Sequence, residues 1–565
     1  MIRISSLLSV FVLLSAVVAA EAADPGQPDL DKAMETKLNA TTISDLSEAI
    51  RLADSALQKG LDAGNKDFAE KLLASTLLQR AQETVKRLLG GAGSPSEFRR
   101  NRQFALADLE RAAKLDPKQG ETHLLIAQLW LLPGGDVRQA RQSLDRAVQS
   151  RFDKSDSEAK AYLLRSGLQE SPEKKLADLN EAVRRTPDNA NMLRARAVLL
   201  HEMKKTDQAL ADLDRAIELE PDELSAYGAK AVVLSRQKRY AEALDVLEKA
   251  QKRQPDSLMP LVQRARVRLL QNDLPAALQE LSQALAMDPD NIGLLLMRAS
   301  VYQEKGETAK AMIDVNRALK QRPHLSEGLR MRAMLYGADK RYEEAIADVR
   351  TILEKEPKDS VVRLQLAMLY GAAKQTAKAI ETYTELLADE PKQWQALRGR
   401  GDMLLNLGRQ SDALADYEKA LKIKPDDYGL LNNLAWVLAT SPDAKLRDGR
   451  RALELATKAC KQSDYKLAYI LSTLAAAYAE TGDFQNAVKW STKAVKIGDK
   501  DHDESLQKEL KSYQDKKPWR ELLSEEKADE KKPVKPAAKE KAGDAGPAKP
   551  DAKEKAAPSK PVLEL

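Results

Sequence analysis

The amino-acid sequence predicts an all-α fold, a solenoid of stacked helix-turn-helix units, and three observations carry that expectation. Pro187, Pro221, Pro255, Pro289, Pro323, Pro357, Pro391 and Pro425 stand 34 residues apart, a fixed period that belongs to stacked repeats sharing a continuous core rather than to separate globular domains. The phrase ahead of each proline recurs: ALADLERAAKLDPK from Ala105, ALADLDRAIELEPD from Ala209, ALQELSQALAMDPD from Ala277, ALADYEKALKIKPD from Ala413. Aromatic residues are only 4% of the 565, and no stretch shows the alternation of a half-buried strand.

One period shows how each element arises. From Ala190, NMLRARAVLLHEMKKTDQALADLDRAIELEP places Leu193, Ala197 and Leu200, then Ala209, Leu213 and Ala216, at helical spacing. The polar break EMKKTD therefore separates two helices of about four turns, each with one apolar stripe. Small residues recur where the two helices must approach: Ala197, Ala231, Ala265, Ala299, Ala333, Ala367 and Gly401 in the first helix, Ala209, Ala243, Ala277, Ala311, Ala345, Ala379 and Ala413 in the second. Proline then ends the second helix, because it lacks the N–H that another turn would donate.

A 34-residue unit with small residues at its eighth, twentieth and often twenty-seventh places, and proline at its thirty-second, resembles the tetratricopeptide repeat. Seven consecutive units over 190–427 fit without insertion, and two looser copies occupy 121–189. Ile352 and Leu386 depart from the pattern by replacing the usual alanine. The resemblance implies a right-handed α-α superhelix of about 11–12 units and a non-catalytic scaffold that binds protein segments on its concave wall.

Both ends are less regular. MIRISSLLSVFVLLSAVVAAEA has Arg3, an apolar run from Leu7 to Val18, and Ala20 and Ala22 spaced for cleavage, so 1–22 is read as an export signal. Residues 23–42 are read as a linker, and 43–120 as an N-terminal helical cap with a first irregular repeat, interrupted by the loop GGAGSPS. Residues 428–501 hold two further repeats, the first with SPDAKLRDGR inserted between its helices, and 502–523 a capping helix. From 524 to 565 ten lysines face nine acids and no aromatic residue occurs, so this tail cannot bury enough surface to offset chain entropy and is expected to be disordered.

The chemistry expected of an enzyme is missing. His123, His201, His324 and His502 are scattered, and His201-Glu202 lacks the second histidine of a zinc helix. No dinucleotide fingerprint or nucleophile elbow occurs, so neither metal nor cofactor is expected. Arg400-Gly401-Asp402 lies inside a helical pattern and is read as scaffold. The net charge is +5 on 91 basic and 86 acidic side chains, a mixture unlike the concentrated basic face of a nucleic-acid binder. Cys460 is the only cysteine, so no intrachain disulfide forms. It is read as a small apolar residue.

What remains is surface. In the repeat family the second, fifth, ninth and twelfth places of the first helix line the concave wall. Carried onto this chain, they give Asn191, Arg194, Met259, Val262, Arg266, Leu296, Arg330, Met334, Leu364, Met368, Arg398, Asn432 and Trp436. The family's clamp for a C-terminal carboxylate is not reproduced by Arg194 with Val198, Arg330 with Met334, or Arg398 with Asp402. The expected protein is an exported scaffold, periplasmic or extracellular, holding protein or peptide segments along this wall, with no nucleic acid and no membrane insertion once the signal is cleaved. The competing expectation is a subunit or enzyme-associated module that binds a small molecule or cell-wall polysaccharide. One scaffold feature is also predicted: Arg at the seventh place and an acid sixteen residues later, Arg196 with Asp212, Arg264 with Glu280, Arg298 with Asp314, Arg332 with Asp348 and Arg400 with Asp416, should bridge the two helices of a repeat.

Overall fold

A helix with one apolar stripe cannot be stable alone in water, so each helix of this chain finds its partner in the next. The computed structural model describes residues 24–89, 94–498 and 503–521. The expected signal at 1–22, the disordered tail from 524 and Gly90–Gly93 of the glycine-rich loop lie outside the described residues. Among the described residues there are 27 α-helices, one short 3-10 helix at Ala444–Leu446 and no strand. None of these helices is long and apolar enough to cross a membrane.

The chain divides into two compact units, Met1–Ala318 and Leu319–Leu565. In the first, antiparallel pairs follow one another from Gln27–Leu38 with Ile43–Lys59, through Ala63–Leu89 with Pro95–Leu115, to the regular repeats that begin at Ala190–Glu202 with Thr206–Leu219. The second unit runs from Ser326–Ala338 with Tyr342–Lys355 to Ala468–Glu480 with Phe484–Ile497, and Asp503–Gln514 packs on that last pair. The segment read as a linker is largely a helix. Gln27–Leu38 buries Leu30 against Ala56 and Ala69, and Ala33 against Ile50 and Ala53. It completes a pair with the next helix, Ile43–Lys59, at the start of the described residues.

The eighth, twentieth and twenty-seventh places of the regular repeats are buried between the helices. Ala197, Ala209 and Ala216 have no exposed surface, nor do Ala265, Ala277 and Ala284. The two departures are absorbed in the core, with Ile352 and Leu386 also buried. Gly401 has a separate reason. A Cβ there would lie 2.6 Å from the ring of fully buried Tyr417, and one at Gly399 would lie 2.4 Å from the Tyr383 hydroxyl. The glycines make room for tyrosines where other repeats carry Leu or Val.

The turn inside each repeat is equally regular. The fifteenth place of every regular unit is left-handed: Lys204, Lys238, Asn272, Gly306, Lys340, Lys374 and Gly408 all have φ between 59° and 74°. The next backbone N–H then returns to the carbonyl five residues earlier, as from Lys205 to Leu200 at 2.8 Å and Arg239 to Leu234 at 2.9 Å. This Schellman closure satisfies carbonyls that the first helix would otherwise leave open.

All five predicted Arg–acid pairs form. Arg196, Arg298, Arg332 and Arg400 each fork onto both carboxylate oxygens of Asp212, Asp314, Asp348 and Asp416 at 2.7–2.8 Å, and Arg264 meets Glu280 at 2.6 Å. The third guanidinium nitrogen reaches back to the second helix of the preceding repeat, from Arg196 to Asn180, Arg298 to Ser282 and Arg400 to Thr384. One side chain thus ties three helices. These are not the exposed pairs that would contribute about 0–1 kcal/mol, because the Asp314 side chain is 3% exposed and that of Asp416 is 4% exposed. Where the seventh place is not Arg, the acid is gone as well: Lys230 faces Val246, and Leu366 faces Thr382.

Breaking one partner of a buried pair leaves an uncompensated charge at a cost of about 3–5 kcal/mol, whereas apolar replacement of both is much milder. Arg298→Leu should therefore lower the opening free energy of Ile292–Glu304 and Thr308–Gln321 by about 3 kcal/mol in amide hydrogen exchange. Adding Asp314→Thr, which copies the Leu366/Thr382 repeat, should recover more than half of the loss. A double variant no better than the single would show that the fork is not what the acid needs.

Candidate functional site: the first-helix face and the C-terminal cavity

Within each unit, successive first helices touch one another across repeats. Leu224–Arg236 meets both Ala190–Glu202 and Leu258–Leu270, and Tyr428–Thr440 meets Ala468–Glu480. No two second helices pack as closely among the described residues. The first helices therefore form the tighter side of the stack, and Asn191, Val232, Arg266, Arg330 and Met368, at their second, fifth or ninth places, are exposed.

In the first unit Met259, Val262 and Arg266 come together on a shallow groove of about 330 Å³, with Gly293, Leu294 and Met297 opposite. Asn191 accepts a hydrogen bond from Arg194 Nη2 at 2.8 Å, so these two largely satisfy one another. Leu296 is a correction: it is 3% exposed. Leu294, Leu295 and Leu296 are all buried, and the exposed face of this helix runs instead through Gly293, Ser300 and Glu304.

In the second unit Arg330, Met334 and Met368 are exposed, the methionines by 50% and 60%, while Leu364 is half-buried. Arg398 turns toward Asp427 at 3.6 Å. Asn432 is a second correction, being 6% exposed. Trp436 is half-buried, and its indole N–H donates to the Glu521 carboxylate. The backbone N–H of Glu521 also donates to the Thr440 carbonyl at 3.0 Å, so the segment after Asp503–Gln514 folds back onto Tyr428–Thr440.

Three exposed residues of this face escape the sequence reading: Val198, Val232 and Val361. Val198 and Val232 hold the ninth place, the same as Arg266, Met334 and Met368. The 34-residue register is the signal that finds them.

A cavity of about 640 Å³ escapes it as well. It lies in the second unit among the helices that hold Asp402, Asn432, Trp436, Tyr469, Ser472 and Glu509. Burial pushes the Glu509 carboxyl up to about 7, helped by the nearby Glu521 charge and opposed by bonds from Ser472 and Ser505. Burial likewise raises Asp402, against hydrogen bonds from Tyr417 and Asn433 and the charge of Arg398. Cys460 is buried and its thiol pushed up to about 12. It is a packing residue, not a nucleophile.

Glu509 gives a pH test with a definite sign. Its folded value of about 7 lies above the ordinary 4.5, so the folded state holds a proton that the unfolded chain has released, and stability falls as pH rises between the two. Glu509→Gln, which can still accept from Ser472, should stabilise helix Asp503–Gln514 by up to about 3 kcal/mol at pH 8. At pH 4 the variant and the native chain should match in hydrogen exchange. An equal gain at both pH values would contradict the assignment.

Two family models of the tetratricopeptide repeat match the chain, one at residues 202–257 and 364–428 and the other at 268–335. No curated protein sequence matches it. Among solved structures it is similar to a tetratricopeptide repeat protein from Parabacteroides merdae, at 22% identity over 51% of this chain and 97% of that one, with a TM-score of 0.34. It is similar to the tetratricopeptide repeat domain of P58(IPK) at 22% identity over 63% of this chain and 95% of that one, TM-score 0.29. Similarity to human IFIT1, a dimer with PPP-AAAA, is 17% identity over 84% of this chain and 95% of that one, TM-score 0.33. The 34-residue helix pairs and the matched stretches together make this chain a tetratricopeptide repeat protein, of a repeat type that indicates a protein-interaction scaffold and is generally non-catalytic.

Proposed function

We propose that the protein is an exported, non-catalytic scaffold of the cell envelope that binds segments of partner proteins along the faces of its first helices. The reading is carried by one observation in the second unit: Met334 and Met368 stay half or more exposed one repeat apart, beside Arg330, which makes no ion pair among the described residues. Exposed methionine adapts to varied apolar partners, and arginine is enriched where interfaces form. Equivalent places in consecutive repeats lie 34 residues apart in sequence and side by side in space, which suits an extended or helical segment. Export rests on the sequence of 1–22.

Interface energy concentrates in a few anchors. Arg330→Ala with Met334→Ala should weaken binding of a partner captured from envelope extract by about 2 kcal/mol or more, with circular dichroism unchanged because both side chains are exposed. Equal affinities would remove the first-helix face as the site. Mass spectrometry of the purified native protein should find its first residue near Ala23. Retention of Met1 would remove the export reading and leave the binding reading standing.

A further inference from the structure

The cavity at the end of the second unit has a one-sided chemistry that the scaffold reading does not use. Its hydroxyl and amide donors Ser472, Thr473, Asn432 and Asn433 are already spent on protein acceptors. Glu509, 4% exposed, accepts the Ser472 hydroxyl proton at 2.5 Å and makes no ion pair among the described residues. Asp402 Oδ1 accepts from the Tyr417 hydroxyl at 2.7 Å and from Asn433 Nδ2 at 2.8 Å. Asn432, on the same lining and 6% exposed, directs Nδ2 at Asn433 Oδ1 and leaves its own Oδ1 buried with no donor among the described residues.

Positive charge is scarce. The one lysine among the described residues of the lining, Lys466, is 75% exposed and pairs with Asp464 at 3.1 Å. Arg398, whose charge reaches Asp402, is engaged with Asp427. Trp436 and Tyr469 supply aromatic walls, and Leu405, Ile497 and Leu506 apolar ones. An anion entering here would meet two buried carboxyl groups and, among the described residues, no free cation. A cation would meet two carboxylates, an unpaired amide oxygen and two ring faces.

We propose that this cavity binds an alkylammonium group, with the ammonium held by Asp402, Glu509 and Asn432 Oδ1 and its methylene chain lying against Leu405 and Leu506. Three N–H donors on one nitrogen answer three acceptors. A volume of about 640 Å³ is that of a small-ligand pocket. The group could be a free diamine or a lysine side chain of a partner segment; the chemistry is shared and the sources separate by experiment.

The test is calorimetric titration of the full chain at pH 8, above the value of about 7 to which burial raises Glu509. The probes are 1,5-diaminopentane, pentane-1,5-diol and a blocked Ala-Lys-Ala peptide. The diamine or the peptide should bind at least about tenfold more tightly than the diol, a difference of about 1.4 kcal/mol. A tighter peptide assigns the site to a partner's lysine, and a tighter diamine to a free amine. Asp402→Asn with Glu509→Gln should remove the preference. Should that variant lose helicity, the diol comparison on the unaltered chain still decides. Equal binding of diol and diamine, or saturation by neither ammonium ligand, overturns the proposal.

Discussion

Each repeat depends on how closely its two helices can approach, and that distance is set by a methyl group on each side. Ala197 and Ala209 lie in one cluster with Leu200, Leu213 and Val233, with no exposed surface. A larger residue at either place would force the helices apart and strain the packing by about 1–3 kcal/mol. Separation would also pull the Arg forks off their acids and the left-handed turns out of register. The exchange of Tyr417 with Gly401, and of Tyr383 with Gly399, shows the same constraint met by removing bulk opposite the place where it was added.

The arginine forks follow from that approach. A guanidinium at the seventh place sits between its own second helix and the one before, where a carboxylate at the twenty-third place can take both of its forward nitrogens. Bidentate pairing fixes the rotation of each helix about its axis more tightly than apolar contact would.

The periodic part is legible in the sequence. Prolines, alanines and Arg–acid pairs all carry the 34-residue spacing, so the spacing alone places both helices, their contacts and their ion pairs. Gln27–Leu38 escapes because its few apolar residues, Leu30, Ala33, Met34 and Leu38, follow no repeat and sit among charges. Leu296 and Asn432 are misplaced for another reason. Family register says which way a side chain faces, whereas burial depends on neighbours: Leu296 is buried beside Leu294 and Leu295, and Asn432 lies on a helix covered on nearly every side. The cavity is invisible in the sequence because Asp402 and Glu509 lie more than a hundred positions apart and meet only when Asp503–Gln514 closes the end of the unit.

The first-helix face is the working surface in this account, and the second-helix face is support. The most direct measurement is site-specific photo-crosslinking in the native cell, with a photoreactive residue at Met334 or Met368 on first helices and, for contrast, at exposed Ala347 or Glu381 on second helices. The account predicts that Met334 and Met368 capture the same partner polypeptide and that Ala347 and Glu381 do not. Equal capture from both sets, or capture from the second helices alone, would contradict it.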